Sequence, residues 1–170
     1  MAPRIAPIVV TALFAPGDDG WLQEMRRAYY PPERNQVPAH LTLFHQIPPS
    51  AESELSRRIA VYAAAPPPRA RILGVTDLGA GTALRVESEE LEDIRFDLAE
   101  GLHGLLSVQD RAPWRPHITV QNKVEPKEAR ALQQHLRATL EPRPLHIRAI
   151  AAWRYLGGPW EKLKDWPFRG

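Results

Sequence analysis

The apolar positions of this chain change period along its length, and each change marks an element. From Ile5 to Leu13 the run is rich in Ile, Val and Thr, reads as a buried strand, and ends at the turn signal Pro16-Gly17. Trp21 to Tyr30 follows as a short helix, with Asp18 or Asp19 available as its cap and Pro31-Pro32 as its stop. Extended, Ala39 to Ile47 puts Leu41, Leu43, His45 and Ile47 on one face and His40, Thr42, Phe44 and Gln46 on the other. Ser50 opens a helix to about Ala64, with Glu52 and Glu54 in the first turn, where the helix dipole favours acids, and Pro66 to Pro68 ends it.

Ala70 to Asp77 and Thr82 to Glu87 flank Leu78-Gly79-Ala80-Gly81, a hairpin signal with a glycine-bearing loop. Ser88 caps a helix from Glu89 to about Leu106, with Leu91, Ile94, Leu98, Leu102 and Leu105 at helical spacing. The second half then repeats the logic of the first. A proline-flanked approach, Ala112 to Pro116, leads into a strand from His117 to Val124, and a helix from Pro126 to about Leu140 follows. Leu145 to Leu156 and Trp160 to Phe168, separated by Gly157-Gly158-Pro159, read as a closing antiparallel pair. The order is neither a regular strand-helix alternation nor all strand. It predicts an α+β fold of antiparallel sheets with helices on their outer faces, and 170 residues suffice for one compact domain.

Composition removes options more than it adds them. A hydrophobic fraction of 44% and a charged fraction of 25% are ordinary globular values. A net charge of +2 permits an anionic partner such as RNA without demanding one. The absence of cysteine rules out a disulfide scaffold, a thiolate zinc site and a cysteine nucleophile together. No apolar stretch approaches the ~20 residues of a spanning helix, and the N-terminal run is short for a signal h-region, so a cytoplasmic protein is expected. No cluster has metal-ligand spacing, and neither metal nor cofactor is expected.

Candidate chemistry enters with one phrase written twice. Pro-Ala-His40-Leu-Thr42-Leu and Arg-Pro-His117-Ile-Thr119-Val lie 77 positions apart. In a strand, positions i and i+2 share a face, so each motif projects an imidazole and a hydroxyl into one space while Leu41, Leu43, Ile118 and Val120 face the core. A lone His-x-Thr carries little meaning. Two copies, each behind a proline and each opening a strand, carry much more. If the strands meet, one neutral imidazole acts as general base and one protonated imidazole as general acid, while two threonine hydroxyls donate to phosphate oxygens. That set suits phosphodiester cleavage and suits acyl transfer poorly, because no serine or cysteine nucleophile accompanies either histidine.

The paired motifs resemble the signatures of the two-histidine (2H) phosphoesterase superfamily, especially its bacterial branch of 2′-5′ RNA ligases and RNA 2′,3′-cyclic phosphodiesterases. The resemblance implies a bilobal fold, residues 1–170 forming one domain, with approximate two-fold symmetry and a central active-site cleft. It implies catalytic roles for His40 and His117, phosphate-binding roles for Thr42 and Thr119, a metal-independent reaction and a monomer. RNA ends or small cyclic-phosphate nucleotides are the implied substrates, with no membrane partner. One departure stands out: many relatives have an arginine shortly after the second motif, where this chain reads Gln121-Asn122-Lys123. Lys123 shares parity with His117 and Thr119, so a regular strand carries it to the cleft.

Other residues have bland readings beside functional ones. Trp114 and Arg115 could stack on a base and meet a phosphate, or simply pack and be solvated. Phe44 shares a face with His40 and is expected at the cleft floor. His45 points away from it and reads as structural, and His103, His135 and His146 have no ligand-like partner. Trp153, Tyr155, Trp160 and Trp166 read more as a terminal packing cluster than as a base platform, and Arg69, Arg71, Arg143 and Arg148 more as solvated faces than as a basic rim. The rival function is a non-catalytic RNA-end or nucleotide binder that retains the cleft.

Overall fold

The computed structural model describes residues 6–169, so Ile5 lies outside the described residues. The first strand, β1 (Ile8–Phe14), is buried along nearly its whole length. Helix α1 (Pro16–Tyr29) begins five residues before the sequence pattern predicts. Pro16 is its first residue and not a turn, because proline's fixed φ suits that position and its missing N–H costs nothing there. Asp18 and Asp19 therefore sit in the first turn and do not cap it. Asp18 turns inward and accepts from the His146 N–H at 2.7 Å, His146 Nδ1 at 2.9 Å and Arg143 Nη2 at 3.0 Å. Its burial works to raise its pKa, but these donors outweigh burial and hold the carboxyl below the usual range.

Next come β2 (Leu41–Ile47), α2 (Glu52–Ala63), and the hairpin of β3 (Arg69–Asp77) and β4 (Thr82–Glu87). Helix α3 (Glu89–Gly101) starts at the predicted cap, where Ser88 Oγ accepts from the Leu91 N–H at 3.1 Å. It stops short of Leu106, and a separate single turn, α4 (Val108–Arg111), follows, capped by Ser107. The chain continues through β5 (His117–Gln121), α5 (Pro126–Thr139), β6 (Arg143–Arg154) and β7 (Glu161–Pro167).

The strands run in the order β1-β2-β5-β4-β3-β6-β7, every pairing is antiparallel, and β6 also pairs with β1. This closes a barrel-like ring. β6 is the shared member: its start, residues 143–146, lies against β3, and its remainder lies against β1 on one edge and β7 on the other. β1-α1-β2-α2 and β4-α3-β5-α5 follow one plan, in which the motif strand pairs with the strand before it. A single apolar core fills the ring, with Val10, Leu41, Leu43, Leu84, Ile118, Val120 and Ile150 all at 0% exposure. Burying each of the larger aliphatic side chains contributes about 1.5–3 kcal/mol. No helix among the described residues is long and apolar enough to cross a membrane.

The predicted glycine loop does two things. Gly79 adopts φ 83°, a conformation costly for other residues, and lets the Leu78 N–H reach the Gly81 carbonyl at 3.0 Å. Gly81 lets β4 approach β5 closely, since a Cβ there would lie 2.2 Å from the Gln121 carbonyl oxygen. That contact is with backbone and cannot be relieved by a rotamer change. Gly81→Ala is therefore expected to cost about 1–3 kcal/mol, read from the urea midpoint with the slope unchanged. A midpoint equal to the parent's would refute the close-approach role.

Candidate active site

β2 and β5 meet at one paired position, Leu41 opposite Ile118, and both side chains are fully buried in the core. Stepping one residue along this antiparallel register sets His40 opposite Thr119 and Thr42 opposite His117. All four point to the face away from the core. Opposite residues have Cβ atoms about 4.5–5.5 Å apart, and residues i and i+2 are about 6.8 Å apart along a strand. The four side chains thus form a small rectangle with imidazole and hydroxyl on alternate corners, and all four residues are half-buried.

Just past each threonine the alternation breaks. The β1–β2 register passes from Thr11 with Thr42 to Val10 with Phe44, so β2 carries one extra residue. The β4–β5 register passes from Ala83 with Thr119 to Thr82 with Gln121, so β5 does the same. These bulges bury two successive residues each, Leu43 with Phe44 and Val120 with Gln121. Two expectations fail for this reason. Phe44 does not floor the cleft: it is fully buried, with the Arg95 guanidinium 4.5 Å above its ring. Lys123 loses its parity with His117 at the bulge, and β5 ends at Gln121 in place of Val124. Lys123 then sits at φ 62° in the following turn and lines a different cavity, beside Tyr29, Tyr30 and Glu125.

The two histidines are held alike. His40 Nδ1 lies 2.8 Å from the Pro38 carbonyl and His117 Nδ1 lies 2.7 Å from the Arg115 carbonyl. A carbonyl only accepts, so each Nδ1 carries the proton and donates it, which leaves Nε2 as the ring nitrogen not engaged by that bond. Gln23 of α1 fixes the approach to His40 by bonding both backbone groups of Ala39, at 2.8 and 3.1 Å. The threonine backbones are held too: the Thr42 carbonyl accepts from Trp114 Nε1 and the Thr119 carbonyl from Arg26 Nη1, each at 3.0 Å.

The surroundings differ. The His40 ring lies beneath Trp160, with centroids 4.7 Å apart, and burial pushes its pKa down to about 4. The Pro38 bond opposes that shift, whereas the nearby Arg26, His117 and His45 add to it. Arg26 is itself buried at 3% exposure, stacked on Tyr30 and bonded to Asn35 Oδ1 at 2.8 Å. A cavity of about 570 Å³ on this side is lined by His40, Trp153, Trp160, Arg27, Arg148 and Lys162. A cavity of about 360 Å³ on the other side is lined by His117, Arg115, Arg85, Glu87 and Glu92. Arg115 is thus beside His117, while Trp114 is half-buried under Arg95 and braces β2. Arg85 is directly across β5 from His117, its guanidinium over Gly74.

Sequence reading did not single out Arg26, Arg85 or Gln23. Arg85 carried a usable signal, since it stands on the strand predicted to precede the second motif. Arg26 reaches Thr119 across 93 positions, and nothing local announces that. His45 is held through its backbone N–H and Nδ1 by the buried Asp110, in keeping with a structural role.

The model of the 2′-5′ RNA ligase superfamily matches residues 14–159, which include both motifs. No curated protein matches the sequence. Among solved structures, TT0787 of Thermus thermophilus superposes with a TM-score of 0.64 at 18% identity, covering 96% of this chain and 98% of that one. Escherichia coli LigT complexed with NADP+ gives 0.63 at 16% identity over 96% and 98% of the two chains. LigT complexed with 3′-AMP gives 0.62 at 15% identity over 98% and 99%. At these identities the likeness speaks for the shared fold. The family match spans most of the length and carries the assignment: the chain belongs to the 2′-5′ RNA ligase superfamily and is an enzyme of the two-histidine phosphoesterase type.

Proposed function

We propose that this protein, as one bilobal unit, is a metal-independent phosphodiesterase acting on 2′,3′-cyclic or 2′-5′-linked nucleotide or RNA-end phosphodiesters. The observation that carries the reading is the matched pair of Nδ1 bonds to Pro38 and Arg115, which turns two Nε2 atoms toward one patch flanked by two hydroxyls. His40, held neutral at physiological pH, serves as general base, and His117 as general acid. For a cyclic substrate, His40 Nε2 takes a proton from water as the water oxygen attacks phosphorus. The bond from phosphorus to one ribose oxygen breaks, and that oxygen takes the proton of His117 Nε2. Thr42 and Thr119 donate to the non-bridging oxygens. Arg85 and Arg115 supply the cations that Lys123, turned away, does not. With a ribose 5′-hydroxyl in place of water as the attacking group, the same steps join two ends through a 2′-5′ linkage. LigT's complexes with 3′-AMP and NADP+ support a nucleotide as the substrate class.

His40→Ala and His117→Ala should each lower turnover of 2′,3′-cyclic AMP by roughly 10²–10⁴-fold while the circular dichroism spectrum is unchanged, and EDTA should leave the parent rate unaltered. Full activity in either variant would exclude the acid-base assignment. Because His40 must be unprotonated, kcat/KM should fall only as pH drops through about 4, far below the ordinary histidine value. An acid limb at the ordinary histidine value would show that His40 is not the base. Arg26→Met keeps bulk but removes a neighbouring cation, so the His40 titration, followed by NMR, should move upward; an unmoved titration would show that Arg26 does not act on it.

A further inference from the structure

The β6–β7 hairpin brings tryptophans to the His40 side of the patch, and they are more than terminal packing. Trp160 is half-buried and lies against His40 at a 60° tilt, and Trp153 stands 6.1 Å behind it. Trp153 is locked in place, since its Nε1 donates to the buried Thr11 Oγ1 at 2.9 Å. The Gly157-Gly158-Pro159 turn, with Gly157 at φ 90°, delivers Trp160 to that point. The same cavity is lined by Arg27 from α1 and by Arg148 and Lys162 from the hairpin strands. Asp165 engages Lys162, but Arg27 and Arg148 are exposed and have no carboxylate partner among the described residues. Asp19, the acidic residue lining the cavity, already accepts from Gln23.

An aromatic wall and two guanidinium groups without an ion-pair partner among the described residues, lining one cavity within one side chain of the candidate base, fit a nucleobase carried together with a phosphate. Resting on the function proposed above, the geometry points to a second subsite: a nucleobase lies against Trp160, and a phosphate other than the one cleaved is held by Arg27 and Arg148. That phosphate has two possible sources, the next linkage of an RNA chain or the 5′-phosphate of a single nucleotide. The site requires only the shared chemistry. It predicts that a bare cyclic nucleoside phosphate is the weakest of the cyclic ligands.

The test is equilibrium binding in a His117→Ala background, which prevents turnover. The probes are 2′,3′-cyclic AMP with a free 5′-hydroxyl, the same nucleotide with a 5′-phosphate, and a tri-adenylate ending in a 2′,3′-cyclic phosphate. At least one phosphate-bearing probe should bind tenfold or more tighter than the first, and the one that gains identifies the source. Arg27→Gln with Arg148→Gln, two exposed residues without structural bonds, should abolish the gain. Trp160→Leu should weaken all three probes by roughly tenfold. Equal binding of the three probes by the His117→Ala parent, a gain that survives the arginine changes, or a Trp160→Leu variant binding as tightly as the parent would overturn the subsite. The readout stands apart from catalysis. An active enzyme with no phosphate-dependent gain overturns this inference alone, and a gain in a protein that turns over no phosphodiester overturns the proposed function alone.

Discussion

The site depends on a single rung, Leu41 against Ile118, the one paired position between the two motif strands among the described residues. Because both side chains are driven into the core, the residues on either side of each must face outward, and the four polar groups meet as a consequence of hydrophobic burial. So short a pairing would be weak alone. It is reinforced by side chains that reach the two strands' backbones from elsewhere in the chain: Arg26 to the Thr119 carbonyl, Trp114 to the Thr42 carbonyl, and Arg95 to the Leu43 carbonyl at 3.0 Å. Arg26 and Arg95 come from α1 and α3, which hold matching places in the two halves.

Two copies of one motif therefore end in unlike environments. In register, the neighbour of the His40 position on β1 is Leu13, and the neighbour of His117 on β4 is Arg85. Trp160 covers one imidazole, while the other faces a cavity with two arginines and two glutamates. Sequence symmetry supplies a pair of like groups, and the asymmetric lining gives the two imidazoles different surroundings.

The alternation Leu41-Thr42-Leu43 was enough to read which side chains share a face, since a period of two is visible without any tertiary knowledge. The bulges were not legible. One extra residue leaves a trace only when it disturbs the pattern. Phe44 suits a core as well as a cleft, and Gln121 hides its burial by accepting from Thr82 Oγ1 at 2.8 Å. The start of α1 was misplaced because Pro16-Gly17 serves a turn and a helix start equally well. The cap of α3 was read correctly because Ser88 and its acidic first turn act locally. What escaped entirely, the reach of Arg26 and the position of Trp160, depends on the ring being closed, a property no window of the sequence contains.

That closure has a consequence for how tightly a ligand can be held. β6 belongs to both sides of the ring, lying against β3 at its start and against β1 and β7 for the rest, so the two motif strands cannot drift apart without breaking the ladder that the ring completes. The conformational freedom of the backbone beneath the four candidate side chains is surrendered once, when the chain folds. On the proposed function, a phosphodiester arriving at the patch would meet donors already in position, so little of its binding energy would be diverted to ordering the protein, and more would be left to act on the reacting bond.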